Sequence, residues 1–330
     1  MSDPKAIVVA GAGAVGCYVG GRLLEAGHNV TFLGRNAHGD EIARNGLKVS
    51  GVDAPPTILL DINWQSDPAC LAKAEIVLVA VKSRSTLEMA EQIARYAPRA
   101  TVISLQNGIS NPDMLRAACP EADVRAAIVE FNVIHAGEGQ FRKATSGDIE
   151  IEDGPGGIDR FLSVPGSRFA ATRDIRAAQW GKLLVNLNNA LNALSGLPLR
   201  EQLADRRWRR LLAAQIDETR EVLTIAGIRP KRFTPLPTRL VPSVLRLPTP
   251  LFRRIAKAML TIDKYARSSM QDDLRLGRST EIDALQGEVL KLAAQYGLDC
   301  PTIARIVAAI RAAEAARAGS PGLDPATLQG

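Results

Sequence analysis

The chain has 330 residues, which at ~150 residues per domain points to about two domains. Hydrophobic residues make up 46% and aromatics only 4%. That is apolar enough for a core of Ala, Leu, Val and Ile, and it excludes bulk disorder and the stacking platforms that bind single-stranded nucleic acid. The 41 Lys and Arg against 35 Asp and Glu leave a net charge of +6, a modest excess that suits an anionic small ligand and calls for no nucleic-acid partner.

Cys17, Cys70, Cys119 and Cys300 are widely spaced and form no CxxC pair, as expected of reduced structural thiols in a cytoplasmic protein. With His28, His38 and His135 they give no zinc-ligand spacing, so no metal is expected. Met1 to Lys5 lead straight into a strand pattern without a signal peptide. No apolar run reaches the ~18 residues of a membrane span, so no membrane partner is expected.

In chain order, Ala6 to Ala10 form a short apolar run, as in a buried parallel strand. Gly11-Ala12-Gly13-Ala14-Val15-Gly16 follows at once. Val15, Val19, Leu23 and Leu24 then repeat at helical spacing, and Gly27 stands where a helix ends. Val30 to Leu33 is the next strand. Gly46 to Ile62 is weaker and reads as short strands or loops. Glu75 to Val81, Thr101 to Leu105 and Val124 to Val129 read as further strands, with a helix from about Thr86 to Tyr96. This alternation predicts an α/β fold with a mostly parallel, doubly wound sheet. The glycine-rich stretch from Glu130 to Asp153 reads as an antiparallel extension of that sheet.

From about Arg173 strand patterns stop. Helices are predicted over Ile175 to Leu194 as one long run, Trp208 to Ala226, Leu251 to Leu260, Ile282 to Tyr296 and Thr302 to Ala318. The boundary is placed at 172/173, giving residues 1–172 as the nucleotide-binding domain and 173–330 as an all-α substrate and catalytic domain. Arg206 to Arg210 reads as a solvated helix face. Residues 228–262 carry eight Lys or Arg, six Pro and no acid, and read as a solvated connection rather than a docking surface. The tail from Gly319 to Gly330 is expected to fray.

Each glycine of the fingerprint has a physical task. Gly11 turns the chain sharply off the strand, Gly13 lets a pyrophosphate approach the backbone, and Gly16 lets the helix pack closely. The helix N-terminus presents unpaired N–H groups to the anion. At the end of the second strand stand Leu33-Gly34-Arg35-Asn36, with no acid. A carboxylate there would repel a 2′-phosphate, whereas Arg35 can pair with it. The cofactor expected is therefore NADP(H).

Lys82 and Asn107 follow neighbouring strands, where ligands of open parallel sheets lie. Each alone could be a surface polar residue; together they read as site residues. Trp180 to Leu194 is a mainly apolar run that contains Lys182 and several amides. Lys182 and Asn186 are four apart and share a face. The lysine could snorkel to solvent, or it could turn to a wet cleft and protonate a developing alkoxide. The segment from Ser268 to Asp283 means little by composition and could be a capping pattern.

These residues together resemble the ketopantoate reductase (2-dehydropantoate 2-reductase) family. The motifs are GAGAVG at 11–16, VKS at 81–83, QNG at 106–108, KLLVN at 182–186, and SSM with GRSTEID within 268–283. The resemblance implies a Rossmann domain followed by an all-helical one, with the active site between them. It implies NADPH-dependent reduction of 2-dehydropantoate to (R)-pantoate, on the route to pantothenate and coenzyme A. Lys182 matches the family's general acid, and Glu281 the carboxylate that holds the lysine or a substrate hydroxyl. Asn186 matches a substrate-orienting amide, and Ser269 a hydroxyl on the substrate carboxylate. Lys82 and Asn107 match cofactor- and substrate-side residues, and Arg35 the 2′-phosphate partner. The partner is a small 2-oxo acid, with a homodimer as the assembly to test. Some members carry a second substrate-contacting Asn eight residues after the lysine. Here that position is Ala190, and Asn188 and Asn189 are expected to point elsewhere. This leaves two rivals: a reductase of another 2-oxo acid or ketone, and a non-catalytic NADP-binding sensor. Retention of both Lys182 and Glu281 argues against the sensor.

Overall fold

The computed structural model describes residues 5–255 and 266–328. The first strand, β1 (Ala6–Ala10), is apolar because it is buried on both faces. Ile7 and Val9 enter one core with Phe32, Leu78 and Ile103, while Val8 and Ala10 enter another with Val77, Val79 and Val102. Alternate side chains of one strand therefore serve two layers.

The chain continues through α1 (Ala14–Glu25), β2 (Asn29–Leu33), α2 (Asn36–Asn45), β3 (Leu47–Gly51), β4 (Ala54–Leu59), β5 (Asn63–Gln65), β6 (Ile76–Val79), α3 (Thr86–Tyr96), β7 (Thr101–Ser104), α4 (Asn111–Ala118), β8 (Asp123–Val129), β9 (Val133–Gly137), β10 (Gln140–Lys143), β11 (Ile149–Glu152), α5 (Ile158–Leu162) and β12 (Phe169–Thr172). The main sheet has the order β12-β11-β8-β7-β6-β1-β2-β5. From β5 to β8 the pairings are parallel; β11 joins β8 antiparallel, and β12 runs parallel to β11. This is the expected doubly wound α/β architecture.

The stretch from Glu130 to Asp153 does not extend the main sheet as a whole. Only β11 does so. β9 and β10 instead join β3 and β4 in a separate four-stranded sheet of order β4-β3-β10-β9. The reason is the surface of α1. A Cβ at Gly21 would lie 2.7 Å from Val49 Cγ1, so the bare helix face admits a second sheet directly against it. Buried Lys143 helps to fasten this sheet, with its Nζ donating to Asp53 Oδ2 at 2.6 Å and to the Gly147 carbonyl at 2.8 Å.

Two compact units divide the chain, Met1–Ile175 and Arg176–Gly330. Past the boundary the described elements are all helical: α6 (Ile175–Asn186), α7 (Asn188–Ser195), α8 (Leu199–Ala204), α9 (Arg206–Ile225), α10 (Val241–Arg246), α11 (Thr249–Ile255), α12 (Ser269–Arg275), α13 (Gln286–Gln295) and α14 (Pro301–Ala316), with short 3₁₀ turns. Leu191, Leu194, Trp208, Ile216, Val289, Ile303, Ile306 and Ile310 are among its buried side chains.

Expectations for this unit are amended at several places. The run from Ile175 to Leu194 is two helices, because the Leu187 carbonyl receives the side-chain amides of Gln286 at 3.0 Å and Gln215 at 3.4 Å, and groups inserted into the helix ladder interrupt it. Arg206 to Arg210 is a solvated face only in part: Arg206, Arg207 and Arg210 are exposed, but Trp208 is 2% and Arg209 0% exposed. The guanidinium of Arg209 donates to the carbonyls of Leu203, Ala204, Leu245 and Leu247 at 2.9–3.1 Å and lies 4.1 Å from the Phe252 ring. It thereby holds part of the basic segment to α9; the segment is solvated as expected, with the described Lys and Arg side chains all exposed, but it carries α10 and α11; the helix expected over Leu251 to Leu260 is seen as α11, and 256–262 lie outside the described residues. The tail does not fray through Leu328. Leu323 N donates to the Leu194 carbonyl at 3.0 Å, and Leu328 is buried.

Replacing Arg209 by Met strands those carbonyls in an apolar setting. A loss of about 2–5 kcal/mol is expected, read as a lower Tm in a calorimetric scan. Arg210→Met, at an exposed neighbour, is expected to leave Tm nearly unchanged.

Candidate active site

In the first unit the candidate residues begin at the turn after β1. Gly11 has φ of +106°, and its N–H and that of Ala12 both donate to the Leu33 carbonyl, at 3.0 and 3.1 Å. A Cβ there would lie 2.5 Å from Val81 N. Gly11 thus holds the turn directly against the segment that leads to Lys82. At Gly16 a Cβ would collide with the Gly11 carbonyl. Gly13 differs from both: a Cβ there would meet nothing within 4 Å. The Gly13 position is an open cradle at the start of α1, which has no side-chain cap and no acid in its first turn. Such a helix end is suited to an anionic group.

The sheet order marks the same place. β1 lies between β2 and β6, and the chain reverses its direction of progress across the sheet at β1. Ligands of such sheets bind at this switch point, beyond the carboxyl ends of the strands. After β2, Arg35 forms the N-cap position of α2 and is exposed. Its guanidinium has no hydrogen bond or ion pair among the described residues.

Lys82 is exposed and Asn107 half-buried, at the ends of neighbouring β6 and β7. A buried amide–hydroxyl network ties their loops together. Gln106 Nε2 donates to the Val81 carbonyl at 3.0 Å and to Thr86 Oγ1 at 2.7 Å. Thr86 Oγ1 donates to Asn111 Oδ1 at 2.9 Å, and Asn111 Nδ2 donates to Ser83 Oγ at 3.0 Å and the Asn107 carbonyl at 2.6 Å. Thr86 and Asn111 went unnoticed in the sequence because polar residues at helix starts are common caps. Their burial is the informative sign.

In the second unit the decisive feature is α6 with α7. From Ala178 to Ser195 every residue is buried except Lys182, Val185, Asn186 and Asn189. These stand at i, i+3, i+4 and i+7, which is one stripe of a helix. Lys182 and Asn186 are half-buried. A strap crosses the start of the run: Lys231 N donates to the Ala177 carbonyl at 2.8 Å. A Cβ at Gly181 would collide with the Lys231 carbonyl and lie 2.8 Å from the Phe233 ring. The glycine beside Lys182 is therefore a packing requirement that the sequence did not disclose.

The segments that carry Ser269 and Glu281 both dock on this run. Ser268 caps α12 by accepting from Gln271 N, while its Oγ donates to the Asn189 carbonyl at 3.1 Å and its N–H to Asn192 Oδ1 at 2.9 Å. Ser269, next in the chain, is exposed. Glu281 is half-buried and opens the turn that leads into Gln286, whose amide reaches Leu187. Ala190 is wholly buried, and the amide of Asn188 is paired both ways with Gln202 at 3.0–3.2 Å. Asn189, however, lies on the accessible stripe with Lys182, contrary to expectation. The turn count carries through the helix break because Leu187 keeps helical dihedrals.

The four cysteines are free, and burial pushes the Cys300 thiol up to about 11, so it is protonated at neutral pH. No group of metal-ligating side chains occurs among the described residues, and none of the described helices is long and apolar enough to cross a membrane.

Residues 7–156 match the sequence profile of the family described as "Ketopantoate reductase PanE/ApbA", and residues 174–314 match "Ketopantoate reductase PanE/ApbA C terminal". The chain belongs to the ketopantoate reductase family. A 2-dehydropantoate 2-reductase of Halobacterium salinarum is 27% identical over 317 residues, covering 93% of this chain and 98% of that protein. One of Archaeoglobus fulgidus is 27% identical over 320 residues, covering 93% and 97%. A solved PanE/ApbA family ketopantoate reductase from Ralstonia eutropha superimposes with a TM-score of 0.81 at 29% identity, covering 95% of this chain and 99% of that one. D-Mandelate dehydrogenase, solved with NADH and anilino(oxo)acetate, shares the fold at a TM-score of 0.77 and 20% identity.

The two turn glycines separate structure from binding. Gly13→Ala is expected to leave Tm unchanged or slightly raised, yet to weaken a nicotinamide dinucleotide by roughly tenfold or more, because its Cβ fills the cradle. Gly11→Ala is expected to lower Tm, with a strain of about 1–3 kcal/mol. Fluorescence titration and thermal scans read the two effects.

Proposed function

We propose that the protein is an NADPH-dependent 2-dehydropantoate 2-reductase that forms (R)-pantoate. The observation that carries this reading is the half-buried Lys182 on the one accessible stripe of an otherwise buried helical run, in a member of the ketopantoate reductase family. Relatives named 2-dehydropantoate 2-reductase align over nearly the whole chain, which favours this substrate over another 2-oxo acid.

The glycine turn fits a dinucleotide, since the Gly13 cradle and the uncapped α1 terminus suit its pyrophosphate. Gly11 and Gly16 keep that turn in shape. Arg35, with no acid at the end of β2, suits a 2′-phosphate and supports NADP(H) over NAD(H). The cofactor, when bound, supplies hydride for the C2 carbon. The protein's own task is to guide and protonate the ketone oxygen. The Lys182 ammonium donates that proton, and it is a cation where negative charge grows. Asn186, whose amide has no partner among the described residues, orients the ketone. The Ser269 hydroxyl donates to the substrate carboxylate. The Glu281 carboxylate accepts from the lysine ammonium or a substrate hydroxyl. Lys82 and Asn107, held by their buried network, serve the cofactor and substrate side of the first unit.

NADPH oxidation by 2-dehydropantoate is expected, with KM in the ordinary ~1 μM–1 mM range. Lys182→Ala is expected to lower kcat by roughly 10²–10⁴ while NADPH still binds; an unchanged kcat would require another proton donor. Separate titrations are expected to show tighter NADPH than NADH in the wild type. Arg35→Ala is expected to abolish the difference by weakening NADPH alone. Equal binding of both by the wild type would remove the NADP preference.

A further inference from the structure

The accessible stripe on α6 and α7 contains two residues with no assigned role. Val185 is an apolar side chain left 43% exposed in a run that buries almost everything else. Asn189 is half-buried, and its side-chain amide has no partner among the described residues. Its neighbours show what a structural amide in this helix looks like. Asn188 is paired both ways with Gln202, and Asn192 bonds the Leu197 carbonyl at 2.8 Å and Ser268 N at 2.9 Å. Only the backbone of Asn189 is used, its carbonyl accepting from Ser268 Oγ.

The geometry points to Val185 and Asn189 as specificity-determining residues for the substrate, and this inference rests on the reading of function above. At ~100° per residue, Val185, Asn186 and Asn189 all lie within about 60° of Lys182 around the axis. A helical side chain covers the turn N-terminal to its own Cα. The Asn189 amide therefore reaches back towards Val185 and Asn186, beside the docked start of α12 that carries Ser269.

The substrate has parts to match. Besides its carboxylate and ketone, 2-dehydropantoate carries a quaternary C3 with two methyl groups and a hydroxyl on C4. Val185 packs against the C3 methyl groups. The Asn189 amide, which can both donate and accept, pairs with the C4 hydroxyl. A site that hydrogen-bonds a substrate hydroxyl discriminates strongly against acids that lack it.

The test compares 2-dehydropantoate with 3-methyl-2-oxobutanoate, which keeps the branch and lacks the hydroxyl, and with pyruvate, which lacks both. Asn189→Ala is expected to raise KM for 2-dehydropantoate roughly tenfold or more with little change in kcat. Its kcat/KM for 3-methyl-2-oxobutanoate should stay as in the wild type. Val185→Ala is expected to lower kcat/KM for both branched acids roughly tenfold and to spare pyruvate. NADPH affinity and Tm should not move in either variant. An Asn189→Ala loss that is equal on both branched acids, or absent on both, overturns the assignment of Asn189. A Val185→Ala loss shared by pyruvate, or seen with none of the acids, overturns that of Val185. A wild-type chain inert towards 2-dehydropantoate overturns the proposed function and this inference together.

Discussion

The run from Ala178 to Ser195 is buried all round except along one stripe, and everything proposed for catalysis depends on that burial. A buried helix cannot turn a polar side chain to water at will, because each polar group taken from solvent needs a partner. The amides of Gln215 and Gln286 supply partners at Leu187, those of Asn188 and Gln202 satisfy each other, and Asn192 holds the start of α12. Most of the inward amides are thus paired, although the buried Trp180 Nε1 has no partner among the described residues, and the accessible polar side chains of the run lie on the stripe of Lys182, Asn186 and Asn189. The bonds at Leu187 and Asn192 also bring the segments of Glu281 and Ser269 onto this run, so the scaffold's hydrogen bonds place residues proposed for the site.

The first unit follows a similar rule by other means. Its exposed Lys82 and half-buried Asn107 follow strands whose loops are knitted underneath by Gln106, Thr86 and Asn111. Its glycine turn is rigid at Gly11 and Gly16, where backbone meets backbone, and open at Gly13. One motif thus contains two kinds of glycine. Steric exclusion from the protein requires two of them, and the open space at the third suits a ligand.

Local elements were legible where a single period dominated. β1, α3 and α9 follow from an apolar run or from helical spacing, and the glycine motif gained its meaning from the strand and helix on either side. Legibility ended where a distant residue decided the outcome. The separation of β9 and β10 from the main sheet depends on the smooth face of α1 at Gly21. The helix break at Leu187 depends on Gln215 and Gln286. The burial of Arg209 depends on carbonyls some 40 residues further along the chain. Lys182 and Asn186 were singled out by their i, i+4 spacing in an apolar run and Glu281 through motif resemblance, whereas Gly181 and Val185 had no signal, and Asn189 was expected to point elsewhere, until burial distinguished them from their neighbours.

The amino-acid order by itself determined the two-part α/β and all-α organisation, the glycine turn after β1, the absence of an acid beside Arg35 and the family. These depend on periodicity and on short contiguous motifs, which act through neighbours along the chain. Only the tertiary structure decided which faces of the second unit's helices remain accessible, which of Asn186, Asn188, Asn189 and Asn192 have side-chain partners among the described residues, and how the loops of Lys82 and Asn107 are braced. Accessibility and hydrogen-bond satisfaction are set by residues remote in sequence and near in space, so no local pattern can record them.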